Sequence, residues 1–134
     1  MTDMTYLILL GVWAVGALRL ALFPTDIAGS GHVTLHGLIH LLVASIAFVC
    51  GAIGEFLLSL RLSASADERW RSMRIPMLTI AILALIALIL LYFGSSFGLR
   101  HIGGLLERLF IGLILLWILL VALRLRLLPT HRAS

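Results

Sequence analysis

Hydrophobic positions along this chain gather into four long runs separated by short polar stretches. The first runs from about Met4 to Phe23 and is ended by Pro24; the second runs from about His36 to Leu60. The third runs from about Pro76 to Phe93, and the fourth from about Leu105 to Leu128, with Pro129 just beyond. Each is roughly 18–25 residues, enough to cross ~30 Å of hydrocarbon at ~1.5 Å per residue. Backbone polar groups in lipid must be satisfied within their own segment, so the runs predict helices although Val and Ile are abundant. The links are short: Pro24–Leu35 is polar, Arg61–Ile75 is charged, and Gly94–Gly104 is rich in glycine and serine. Short links favour antiparallel neighbours. The pattern therefore predicts an all-α, up-down, transmembrane four-helix bundle forming a single domain over residues 1–134.

Small residues recur at helical steps. His40, Ala44, Ala47, Gly51 and Gly54 share one face of the second run; Ala81, Ala84 and Ala87 share one face of the third. The first run carries Gly11, Ala14, Ala17 and Ala21. Such stripes let helices approach closely, so they read first as packing faces and secondarily as a dimerisation face.

Composition supports the membrane reading. Of 134 residues, 62% are hydrophobic and 12% charged, too little polar surface for a soluble domain of this length. The net charge is +4, and every basic residue other than histidine is arginine. These arginines flank apolar runs, so they suit orientation and headgroup contact rather than nucleic acid. The Arg61–Ile75 link holds four arginines, and the C-terminal end holds Arg124, Arg126 and Arg132; Arg19, Arg100 and Arg108 fall on the other side. The positive-inside rule then places both termini in the cytoplasm. Asp3 and the lack of a basic leading segment argue against a cleaved signal peptide. Cys50, the single cysteine, reads as a packing residue. Trp70 suits an interfacial anchor, and Trp13 and Trp117 suit the interior.

This topology gathers polar groups at the outer end: Arg19, Asp26, His32, His36, His40, Arg100, His101, Glu107 and Arg108. Histidines at i, i+4 and i+8 share a helix face. His36 and His40 can both reach one divalent metal such as zinc, with Asp26 as a carboxylate ligand or supporting partner. His32 lies ~12 Å along a straight helix from His40, too far for the same ion. The plainer reading of the histidines is structural hydrogen bonding. Glu107 suits the start of a helix, where the macrodipole favours an anion. Arg108 and Arg19 can pair with a carboxylate or snorkel to headgroup phosphate.

Glu55 stands apart, inside the second run. A carboxylate within a span is a functional candidate, with Arg61 or Arg124 as its expected partner. There is no phosphate-binding glycine loop, no GxSxG elbow, no HExxH and no CxxC. Paired histidines suited to a haem are also lacking, since outside the ladder only His101 and His131 remain.

Two stretches together resemble a known family. One is Leu22-Phe-Pro-Thr-Asp26, followed by His32 and His36-Gly-Leu-Ile-His40; the other is Gly104-Leu-Leu-Glu-Arg108, continuing to Trp117 and Ala122-Leu-Arg124. They resemble the bacterial and archaeal integral membrane family known as domain of unknown function 998. The resemblance covers about Gly11 to Leu127 and implies a helical membrane bundle, with Asp26, His36, His40, Glu107 and Arg108 as positions to test first. Its members usually have about six spans, so this chain resembles the last four and lacks the first pair. A partner protein then becomes an expected source of the missing groups.

Three functional readings follow. The leading one is a non-enzymatic accessory or interaction component of a prokaryotic plasma membrane, acting as a homo-oligomer or with a partner membrane protein, needing no cofactor and binding no nucleic acid. The second is a metal-dependent membrane hydrolase or lipid-active enzyme built on His36, His40 and Asp26. The third is a small oligomeric transporter using Glu55.

Overall fold

The computed structural model describes residues 4–22 and 34–127. Among these residues five α-helices follow in order: α1 (Thr5–Leu22), α2 (Leu35–Ser63), α3 (Glu68–Arg71), α4 (Arg74–Phe93) and α5 (Gly103–Leu127). Among the described residues there is no strand, and α1, α2, α4 and α5 are each long and apolar enough to cross a membrane. The all-α class and the four spans thus stand as the apolar runs predict. The chain divides into two compact units, Met1–Leu58 and Ser59–Ser134.

Local chemistry sets the helix ends. Thr34 opens α2: its hydroxyl accepts the Gly37 N–H at 3.1 Å, satisfying a donor that the helix itself leaves open. At the far end α2 runs to Ser63, one turn beyond Leu60 where the apolar run stops. Arg61 is exposed, so its long stem can follow the helix while its head leaves the hydrocarbon. The α4 helix begins at Arg74, two residues before the expected Pro76. Proline is tolerated in a first turn because its missing N–H has no acceptor there. Inside the charged link the short α3 forms, with the Asp67 carboxylate accepting the Arg69 N–H at 2.9 Å. Two 3-10 turns, Gly94–Phe97 and Leu99–Ile102, join α4 to α5 around Gly98, whose φ of +73° suits glycine.

In the first unit α1 and α2 run antiparallel. A Cβ built on Gly16 would lie 2.5 Å from the Ala47 Cβ, and one on Gly54 would lie 3.1 Å from both Leu9 and Leu10 side chains. The stripe expected on α1 is not the face it uses. Gly11, Ala14, Ala17 and Ala21 are exposed, Gly11 has nothing within 4 Å of its would-be Cβ, and Gly16 is the buried residue. A helix apolar around most of its circumference has no polar side to turn away in lipid, so the partner's shape selects the face. On α2 the expected stripe holds better, with Ala47, Gly51 and Gly54 buried while Ala44 and His40 are half-buried.

In the second unit α4 packs on α5. Ala81, Ala84 and Ala87 are buried with Met77 and Leu88 on α4; Leu106, Phe110, Ile114 and Trp117 are buried on α5. Three alanines opposite bulky residues allow close packing without voids. Elsewhere large side chains such as Leu22, Leu35 and Ile75 stay exposed, as lipid-facing positions do.

Candidate functional site

Glu55 is the most unusual residue of the described chain. It lies on α2 eight residues before Ser63, about 12 Å from the helix end by axial rise. Its side chain is 0% exposed, and neither carboxylate oxygen has a hydrogen-bond partner among the described residues. Gly51, Ala52 and Gly54 are buried beside it, and Gly54 brings α1 close enough that the Leu10 backbone nitrogen would stand 3.2 Å from an added Cβ. A large side chain at 54 would hold α1 and α2 apart beside Glu55.

The expected partners of Glu55 do not reach it. Arg124 is engaged in the second unit, where its Nε and one terminal nitrogen donate to the Arg69 carbonyl at 3.1 and 2.6 Å and the latter donates to Ser72 Oγ at 3.0 Å. Those bonds satisfy the open carbonyl at the end of α3. Arg61 makes no hydrogen bond to the Glu55 carboxylate. The Arg71–Glu68 pair, 2.8 Å apart, is exposed and contributes little.

A second buried polar group has hydrogen-bond partners. Ser59 is 0% exposed; its hydroxyl accepts the Trp117 indole N–H at 2.8 Å, and its carbonyl accepts the Ser63 hydroxyl at 2.6 Å. Trp117 is therefore an interior residue as expected, tied to a partner that the sequence reading did not single out. The signal was available: Ser59 interrupts an apolar stretch, and a buried indole needs an acceptor. Trp117→Phe should lower the stability of the purified protein by about 1 kcal/mol, read as a drop in melting temperature.

The outer-end candidates fare differently. His36 is exposed, His40 is half-buried, and both belong to the first unit. His40 and Arg19 line one cleft of about 220 Å³ together with Leu20, Ile39 and Val43. Glu107 and Arg108 are exposed on α5 in the second unit, as is His101 in the turn before it. Asp26 and His32 lie outside the described residues, and so does the side chain of Arg100. Among the described residues no three of His, Cys, Asp and Glu come together in a way that could hold a metal ion. Cys50 is a half-buried free thiol.

The family described as Protein of unknown function (DUF998) matches residues 4–124. The chain belongs to this family. The DUF998 match covers α1, α2, α3 and α4 and runs into the last turn of α5, so Glu55, Arg19, His36, His40, Glu107 and Arg108 all lie within the family region. The description gives the DUF998 family no activity, and the chemistry must be argued from the residues. Among curated proteins and among solved structures nothing matches the chain. This DUF998 member is a multi-pass membrane protein with four helices fit to span the bilayer.

Proposed function

We propose that this protein is a small oligomeric transporter of a prokaryotic plasma membrane, with both termini in the cytoplasm and Glu55 as the group that exchanges a proton for a cation. The observation that carries this reading is a carboxyl fully buried in a span with no hydrogen-bond partner. Burying such a group without a partner costs several kcal/mol in its charged form. Ionisable groups at membrane depth are rare, and those present tend to mark ion and proton pathways. A second copy of the chain is the simplest source of the remaining path, because two helix pairs leave extensive apolar surface uncovered.

The accessory-component reading draws support from the same uncovered surface, which every spanning helix shares, and nothing else favours it. The hydrolase reading needs Asp26, which lies outside the described residues, to join His36 and His40 on one ion.

The test uses purified full-length protein in vesicles loaded with a pH-sensitive dye and challenged from outside with sodium, potassium or tetraphenylphosphonium. Proton release above that of protein-free vesicles is expected with at least one cation. Glu55→Gln should bring it to background, and Glu55→Asp should retain part of it. Equal rates for wild type and Glu55→Gln, or no release with any of the three, would contradict the proposal.

A further inference from the structure

A groove runs along the α1–α2 contact of the first unit. Its upper part is the cleft lined by Arg19, Leu20, Ile39, His40 and Val43. A second cleft of about 220 Å³ continues from it, sharing Arg19 and Val43 and extending along Val12, Val15 and Ile46. The missing side chain of Gly16 and the small one of Ala47 form its floor. The groove therefore has a head and a tail of different chemistry. Among the described residues, Arg19, in the last turn of α1, is the one arginine, lysine or carboxylate residue lining either cleft, and the tail is aliphatic.

Arg19 makes no hydrogen bond or ion pair with any described residue. A guanidinium one turn from the end of a span sits near headgroup level, where phosphate is its natural counter-ion. From Arg19 to Val12 is seven residues, about 10 Å of axial rise, or two-thirds of a ~15 Å hydrocarbon leaflet. An object with an anionic head and an apolar rod of that length is a membrane phospholipid. We infer that this groove seats one anionic phospholipid, its phosphate on Arg19 and one acyl chain lying along Val12, Val15, Val43 and Ile46. Gly16 lets the two helices meet beneath the chain, which leaves the groove shallow enough to open to the bilayer. The proposal uses none of the residues on which the transport reading rests.

The experiment is native mass spectrometry of the full chain released from micelles containing phosphatidylglycerol, phosphatidylcholine or both. Wild type should retain one phosphatidylglycerol with about tenfold preference over phosphatidylcholine, whose own ammonium offsets the phosphate charge and is repelled by Arg19. Arg19→Gln should remove that preference. Val15→Phe, which fills the groove and leaves Arg19 in place, should lower retention of both lipids. Equal retention of the two lipids by wild type, an unchanged preference in Arg19→Gln, or unchanged retention in Val15→Phe overturns the inference. Displacement of phosphatidylglycerol by an equal concentration of inorganic phosphate also overturns it, because the site would then be one for a free anion. Should Arg19→Gln fail to fold, the wild-type lipid ratio and the Val15→Phe protein decide the matter.

Discussion

Glu55→Met is expected to make this protein more stable and to abolish the proposed proton–cation exchange. The carboxyl is fully buried without a hydrogen bond, so folding strips water from two oxygens and returns nothing to them. Methionine has similar volume, no polar atom and a flexible stem that fits an irregular gap. Removing an unsatisfied buried polar group recovers about 1–3 kcal/mol, read as a higher melting temperature in detergent. Glu55→Gln keeps two polar atoms in the same place and should gain much less. A stability gain coupled to lost flux is the signature of a group kept for work at the expense of stability. A Glu55→Met protein that melts well below wild type would mean that the carboxyl has a partner, and the orphan reading would fall.

The second large effect is at Gly16. An added Cβ would come within 2.5 Å of the Ala47 Cβ and 3.6 Å of its Cα, so α1 and α2 must separate to admit it. Overpacking of this kind costs about 1–3 kcal/mol for a single methyl, and a longer side chain costs more. Gly16→Ala should therefore lower the melting temperature clearly, and Gly16→Leu should lower it further and strip lipid from the groove. Gly11→Ala, with nothing within 4 Å of the new methyl, should be neutral or slightly stabilising. Adding Ala47→Gly to Gly16→Ala should restore most of the loss, because the first atom met is then gone. If Gly11→Ala and Gly16→Ala behave alike, the close approach at Gly16 is wrong.

The spans were legible because lipid leaves the backbone one solution over a long apolar run. Their ends were less so. Hydropathy stops at Leu60, but Arg61 can carry its charge outward while the helix continues to Ser63. Pro76 looked like a beginning, although a proline fits inside a first turn. The charged link hid α3, whose Asp67 cap opens a helix of only one turn. Which face α1 buries could not be read at all: Gly11, Ala14, Ala17 and Ala21 made the more regular stripe, but Gly16 meets the matching small residue of α2. Glu55 was visible as the one acid deep inside an apolar run, Glu107 standing at the very start of its own, whereas the isolation of Glu55 was not. Its expected partner Arg124 turned out to close the end of α3, a tertiary contact 55 residues away in sequence. Arg19 and His40 share a cleft because antiparallel pairing brings positions near the end of α1 beside the start of α2.

The four-span threading requires α4 to cross the bilayer, so that the link before it and the turn after it face opposite compartments. The direct measurement is labelling of single cysteines with a membrane-impermeant maleimide in intact and opened cells, in a Cys50→Ala background. Ala66→Cys and Ser96→Cys are the reporters, because both positions are exposed and flank α4. Four spans with arginine-rich segments inside predict that Ser96→Cys labels in intact cells and Ala66→Cys only after opening. Labelling of both from the same side would contradict the four-span threading.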